Sequence, residues 1–164
     1  MAANLIRLCI VLISWSTLLF LPKKSFHRYL PVSIFCSFMV IIVSLFALRY
    51  RWWSVKGGIA KLALMDLSFI YGPFFSGTLW IFHFCFGKFK RYLLLNGVMD
   101  ALLAFPLNAF FQKSNVYKLQ NFKSIYIFTM YYAFAIFIYG YQLLIDRSAK
   151  MLRSKTFFFG FGRN

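Results

Sequence analysis

The chain of 164 residues is too apolar and too poor in charge to be an ordinary soluble domain. Hydrophobic residues make up 62% of it and charged residues only 13%, whereas an average soluble domain is about 45–50% hydrophobic and about 25% charged. Disorder is excluded as well, because disordered chains are low in hydrophobicity. Nineteen Lys and Arg against three acidic residues give a formal net charge of +16. This composition predicts an integral membrane protein with basic loops and ends.

Five apolar segments are long enough, or nearly so, to cross a bilayer as helices. A spanning helix needs about 20 mostly apolar residues, since the hydrocarbon core is about 30 Å thick. The strands of a membrane barrel alternate apolar and polar residues, and these runs are continuously apolar. We therefore predict an all-α transmembrane bundle of about five spans, forming a single domain over residues 1–146. The predicted spans are Leu5–Leu21, Leu30–Leu48, Leu62–Gly87, Leu93–Phe111 and Ser124–Ile145.

Basic residues mark the ends of the spans and give a small preference for orientation. Loops one and three and the segment after the last span hold 11 Lys and Arg, and the remaining segments hold 8. Because the side richer in Lys and Arg tends to stay in the cytoplasm, we expect a multi-pass protein of the cell membrane with its carboxyl terminus inside.

The carboxyl-terminal segment, residues 147–164, combines five basic residues with four phenylalanines. This pattern suits a segment lying on an anionic leaflet. Its alternative interpretation is a topology signal followed by an apolar end. We expect anionic lipids as partners of the basic loops and tail. No nucleic-acid partner is expected, because the sequence shows no folded nucleic-acid-binding module.

The predicted fourth span carries a polar stripe. Asn96, Asp100 and Asn108 are spaced by multiples of four residues, so they share one face of a helix. Asp100 lies near the middle of the span, where a carboxylate costs roughly 2.5–3.5 kcal/mol. The stripe is either a polar pathway, proton site or substrate contact, or a set of hydrogen bonds that hold helices together. Pro106 in the same span is expected to kink the helix.

Two side chains of the predicted third span are possible partners of this stripe. His83 and Asn96 lie at similar depths beside the hairpin between spans three and four, so His83, Asn96 and Asp100 form one predicted polar cluster. The alternative for His83 is an ordinary hydrogen-bonded side chain. Asp66 is expected at a different depth, and its alternative is an interfacial carboxylate near a helix start.

Small residues recur in the predicted third span. Ser68, Gly72 and Ser76 are spaced by four residues and form a predicted packing seam, which lets another helix approach closely. Pro73 follows Gly72 directly, so a kink or a broken helix is expected there.

The sequence does not point to a metal ion or to an organic cofactor. Cys9, Cys36 and Cys85 all lie in apolar spans without a CxxC motif, and only two histidines are present. The phosphate-binding, nucleophile-elbow, zinc-protease and dinucleotide-binding motifs are missing. We therefore expect no metal, no cofactor and no hydrolase triad.

Motifs of the third and fourth spans resemble those of a protein family. They are similar to segments of small uncharacterised polytopic membrane proteins of Gram-positive spore-forming bacteria, over roughly residues 20–145. The resemblance implies a membrane location and a span pattern, and it carries over no functional residue. The motifs are Gly72-Pro73-Phe74-Phe75, Gly77–Trp80, Phe86–Phe89 and Ala104–Lys113.

Three functional hypotheses remain open. The first is a non-enzymatic interaction or structural subunit that associates with a second copy or another membrane protein, its polar stripe holding helices together. The second is a small transporter or channel-like protein that uses the stripe. The third is a lipid-modifying membrane enzyme with Asp100 and His83 as its acid and base.

Overall fold

A computed structural model describes residues 2–55, 59–114 and 117–161, with side chains described for residues 5–55, 60–114 and 117–151. The described residues form an all-helical fold of five helices, as predicted, with one short two-stranded ribbon. The first two are α1, Ala2–Leu18, and α2, Lys23–Tyr50. The last is α7, Ser124–Phe161.

The third and fourth helices are each interrupted by a π-helical turn. The third consists of α3 (Ile59–Phe69), the turn π1 (Ile70–Phe74) and α4 (Phe75–Cys85). The fourth consists of α5 (Phe89–Leu102), the turn π2 (Leu103–Leu107) and α6 (Asn108–Lys113). Each π turn contains a proline, Pro73 or Pro106, as its fourth residue. Proline lacks the N–H that continues an α-helix, so both helices change geometry where the sequence predicts kinks.

Four helical segments within the described residues are long and apolar enough to cross a membrane: Lys23–Tyr50, Ala60–Cys85, Phe89–Lys113 and Ser124–Met151. They correspond to the second to fifth predicted spans. The first predicted span, Leu5–Leu21, is not among these four, because α1 ends at Leu18 and its apolar part, Leu5–Leu18, is shorter than a spanning helix. The chain turns directly afterwards, where the amides of Leu19 and Leu21 bond to carbonyls three residues earlier.

The helices define two ends of the bundle. The first is called here the hairpin end; α2 begins there, and α4 passes into α5 through a tight turn. At this end Asp146 of α7 forms an ion pair with Arg28 of α2, with a shortest N–O distance of 2.6 Å. At the opposite end, the ribbon end, two short strands pair antiparallel. They are β1 (Trp53–Ser54) and β2 (Lys118–Leu119). The ring of Trp52 stacks on Phe122 beside them, with ring centroids 4.3 Å apart.

The helix α1 packs along the third helix at π1. A Cβ atom at Gly72 would lie 3.4 Å from Ile10 Cγ2, so α1 lies in van der Waals contact with this glycine. The indole nitrogen of Trp15 donates a hydrogen bond of 2.9 Å to the carbonyl of Tyr71. Farther along, the indole of Trp80 donates to Thr17 Oγ1. These contacts show that α1 and the third helix run in the same direction.

The last helix has 38 residues and continues through most of the predicted tail. Arg147 and Lys150 are exposed on it. The side chains of residues 152–164 lie outside those described, so the membrane-surface role of the tail stays a prediction.

Candidate functional site: two cavities that each hold a carboxylate

The larger cavity lies between α2, α4, α5 and α7. Its volume is about 110 Å³, and Asp100 is the only ionisable carboxyl among the described residues that line it. Asp100 Oδ2 is buried and has no hydrogen-bond partner among the described residues. We call this the Asp100 cavity. Its other lining side chains with polar or sulfur atoms are Cys36, Thr78, Tyr92, Asn96, Met99 and Tyr131.

Several polar neighbours of Asp100 are already bound to the backbone. The Asn96 amide donates to the Tyr92 carbonyl at 2.8 Å. Thr78 Oγ1 donates to the Phe74 carbonyl at 2.7 Å. The Tyr92 hydroxyl donates across to the Ala135 carbonyl of α7 at 2.9 Å. Because these donors are engaged elsewhere, they leave a carboxylate oxygen open to the cavity.

The smaller cavity lies toward the ribbon end and contains Asp66. Its volume is about 70 Å³, and Asp66 is only 7% exposed. The indole nitrogen of Trp53 in β1 donates a 3.2 Å hydrogen bond to Asp66 Oδ1. Asp66 Oδ2 is buried and has no hydrogen-bond partner among the described residues. We call this the Asp66 cavity; Ser44 and Tyr117 also line it.

Asp66 does not lie at a helix start, where its alternative interpretation expected it. Asp66 is the eighth residue of α3 and faces inward, instead of lying at an exposed helix start. The reason lies in tertiary structure, because the β1–β2 ribbon brings Trp53 over this face of α3. Asp66 and Asp100 line different cavities, and their expected separation in depth stays a prediction.

Four residues line both cavities and form the wall between them: Val40, Phe74, Leu103 and Tyr131. Phe74 is the last residue of π1, and Leu103 is the first residue of π2. The Tyr131 ring packs on Phe74, with ring centroids 4.8 Å apart. The two interrupted helices therefore meet α2 and α7 between the carboxylates.

Asn108 lies in a different environment from the rest of the stripe. It is 1% exposed, and its amide donates to the carbonyl of Ala104 and to Ser124 Oγ, at 3.1 and 2.8 Å. Its carbonyl oxygen accepts hydrogen bonds from Tyr117, at 2.7 Å, and from Gln112, at 3.1 Å. Asn108 thus joins the fourth helix to the following loop and to α7, while Asn96 and Asp100 line a cavity.

The structure does not bring His83 to Asn96 and Asp100. The Nδ1 atom of His83 lies 2.8 Å from Ser25 Oγ, at the start of α2. Its ring contacts Trp80 and Phe84 of its own helix. His83 and Asn96 lie on neighbouring helices near the hairpin end, as expected, but their side chains point to different partners.

The small residues of the third helix serve different contacts. Gly72 lies against α1, as described above. The hydroxyl of Ser76 bonds to the Gly72 carbonyl and that of Ser68 to the Leu64 carbonyl, each within its own helix. At Gly72 a neighbouring helix, α1, approaches closely.

Two features of this structure were not predicted from the sequence. One is the ion pair of Arg28 with Asp146, in which Arg28 also lies 5.1 Å from the ring centroid of Phe86. Asp146 is one of only three acidic residues, and a search for a cation on an antiparallel helix could have found its partner. The other is Tyr131, whose position between two cavities has no signature in an apolar, aromatic span.

Within the described residues, no three His, Cys, Asp or Glu side chains come together as metal ligands. The three cysteines are free thiols, and Cys36 lines the Asp100 cavity. The expectation that the protein needs no metal and no cofactor stays a prediction.

Comparisons with known protein families, with curated proteins and with solved structures find no match to this chain.

Proposed function

We propose that the protein is a small membrane transporter or channel-like protein that moves protons, with Asp100 as the group that takes up and releases them. The observation that carries this proposal is the buried Asp100 Oδ2, which faces a cavity of about 110 Å³ and has no partner among the described residues. An ionisable side chain in a membrane span is costly, and it commonly marks an ion pathway or a proton relay. A carboxyl that only held helices together would have its oxygens bonded.

The lining of the cavity favours a proton over a metal cation. Hard divalent cations take about six or more oxygen ligands, and the Asp100 cavity has a single carboxylate. The hydroxyls of Thr78 and Tyr92 already donate to backbone carbonyls. A proton needs only one basic oxygen, which Asp100 supplies.

The placement in a membrane is part of the same proposal. Four helices have spanning length, and large apolar side chains such as Leu94 and Phe137 are exposed on the outside of the bundle. Exposed cations, including Lys23, Lys88 and Lys118, lie near the two ends. We propose a cell-membrane protein whose basic ends contact anionic lipid headgroups, with the carboxyl terminus in the cytoplasm.

A structural or interaction subunit is the second candidate function. It is favoured by the bonds of Asn108, which hold α6, the following loop and α7 together. In that case the partner is a second copy or another membrane protein. The lipid-modifying enzyme finds no support in the geometry, because His83 bonds to Ser25 and lies away from the Asp100 cavity. We therefore propose a non-enzymatic protein.

Proton flux into liposomes tests the first candidate. Purified protein is reconstituted with a trapped pH-sensitive dye, and a potassium gradient with valinomycin drives proton entry. We expect Asp100→Asn to reduce flux by roughly 100-fold or more, since a positioned proton-transfer group contributes roughly 10²–10⁴-fold. The control is Asp146→Asn, which removes a carboxylate that is paired with Arg28 near the hairpin end.

Folding is followed in each variant by thermal unfolding in detergent. An Asp100→Asn variant that folds normally and conducts like wild type would overturn the proposal and favour the structural subunit. A sodium or potassium flux that does not depend on a proton gradient would overturn the assignment of the proton as cargo.

A further inference from the structure

We infer that the Asp66 cavity is a second proton site, connected to the Asp100 cavity through the hydroxyl of Tyr131. The inference rests on the proposed function, and it adds a second carboxylate and the route between the two. It assigns a role to three features that the Asp100 site leaves unused: the buried Asp66, the smaller cavity and the shared wall.

Asp66 lies in a buried site that is lined by polar side chains. Asp66 is 7% exposed, and Trp53 holds Oδ1 with one hydrogen bond, while Oδ2 has no partner among the described residues. The cavity of about 70 Å³ exceeds the roughly 10–15 Å³ that a single water molecule needs. The carboxyl therefore has room beside it for water or hydronium. The hydroxyl-bearing side chains Ser44 and Tyr117 complete the polar lining.

Only one of the side chains that line both cavities is polar. Of the four shared residues, Val40, Phe74 and Leu103 are apolar, and Tyr131 alone carries a hydroxyl. Tyr131 is thus the one shared side chain through which a proton can cross.

The two π turns explain why the wall lies at this level. π turns occur frequently at functional sites, because they shift the side chains of a helix relative to an α-helical path. Here π1 contributes Phe74 and π2 contributes Leu103 to the wall, opposite Tyr131 of α7. The π turns of the third and fourth helices therefore both lie beside the wall that separates Asp66 from Asp100.

The transfer step is balanced without any other reactant. The protonated carboxyl of one aspartate, or a hydronium beside it, gives a proton to the Tyr131 oxygen. The phenolic O–H bond breaks at the same time, and its proton passes to the carboxylate side in the other cavity. Tyr131 stays a neutral phenol, and one proton moves from one cavity to the other. Tyr92 and Cys36 of the Asp100 cavity and Tyr117 of the Asp66 cavity are the other titratable groups on these walls.

The decisive variant is Tyr131→Phe, which removes the hydroxyl and keeps the ring. Its matched control is Tyr132→Phe, because Tyr132 contacts Phe128 and Gly97 and lines neither of these two cavities. We expect Tyr131→Phe and Asp66→Asn each to lower proton flux in liposomes by roughly 100-fold. Tyr132→Phe should conduct like wild type. Wild-type flux in a folded Tyr131→Phe protein, with flux still lost in Asp100→Asn, would overturn the inference and leave the proposed function intact.

A second measurement does not depend on flux. The carboxyl C=O stretching bands in infrared difference spectra are assigned with Asp66→Asn and Asp100→Asn. If the cavities are connected through Tyr131, Asp100→Asn shifts the Asp66 band, and Tyr131→Phe abolishes that shift. If Asp100→Asn leaves the C=O stretching frequency of Asp66 unchanged, the proposed connection between the two cavities is wrong. A band that responds to sodium at constant pH would overturn the proton as the ligand of Asp66.

Discussion

Asn108 holds the ribbon end of the fourth helix to its surroundings. Its side chain bonds to Tyr117 of the following loop and to Ser124 at the start of α7. Burial raises the pKa of Tyr117, and the charge of Asp66 adds to this effect. The neutral phenol that donates to Asn108 is thus favoured by folding. The contribution of this neutral phenol to the free energy of unfolding is complete below about pH 10, the ordinary pKa of tyrosine. It is lost as the pH rises through the higher pKa of the folded state.

The bonds of Asn108 lead to a prediction for stability. We expect Asn108→Ala to lower the free energy of unfolding by about 1–3 kcal/mol, because each lost bond between segments is worth about 0.6–2 kcal/mol. Asn96→Ala is the control, since the Asn96 amide donates to a carbonyl of its own helix. Thermal or denaturant unfolding in detergent measures both variants. Equal losses in the two would contradict the structural role of Asn108.

Asp100 and Asp66 illustrate how much the surroundings of a residue decide. The sequence predicts Asp100 at mid-span from its position alone, and Asn96 one turn away shares its cavity. The burial of Asp66 depends on Trp53, which reaches it only because two distant loops pair as β1 and β2. No local pattern encodes that approach.

At the scale of elements, the close contact between α1 and the third helix occurs at Gly72. A methyl group there would meet Ile10 at 3.4 Å, which is ordinary van der Waals contact. We expect Gly72→Ala to be tolerated and Gly72→Leu to cost about 1–3 kcal/mol, the range for overpacking.

Gly140→Leu is the matched control for this substitution. Gly140 lies on α7 in an exposed position, and a Cβ there would meet nothing within 4 Å. The unfolding temperatures of the three variants test the packing. A Gly72→Leu protein as stable as wild type would show that α1 does not pack on π1 in the folded protein.

The π turns show where local prediction succeeds and where it stops. Pro73 and Pro106 predict an irregular helix, because proline removes a backbone donor. They do not predict that both irregularities take the π form, or that they lie beside the same residue of α7. Those outcomes depend on how the helices pack against each other.

At the scale of the whole molecule, the directions of the helices assign every loop to one of two ends. The hairpin end holds the turn between α4 and α5 and Asp146, whereas the ribbon end holds β1 and β2. We therefore expect Lys88→Cys and Ser148→Cys, in a protein without native cysteines, to lie on one side of the membrane and Lys118→Cys on the other.

A membrane-impermeant thiol reagent applied to intact cells tests this arrangement. With the carboxyl terminus in the cytoplasm, the reagent should label Lys118→Cys, and it should reach Lys88→Cys and Ser148→Cys only after the cells are opened. The reverse pattern would overturn the orientation and keep the fold. Labelling of all three positions from one side would contradict the spanning arrangement itself.

The sequence by itself determined the fold class and the approximate position of four long apolar helices, because the length and hydropathy of a segment are local properties. It also identified Asn96, Asp100 and Asn108 as polar positions on one helix face. Tertiary structure alone decided which of them bind neighbours and which face a cavity. It also decided that Asp66 is buried and that Tyr131 separates two carboxylates. A cavity and its wall are formed by side chains from four or more distant segments, and their meeting depends on helix packing that no single segment specifies.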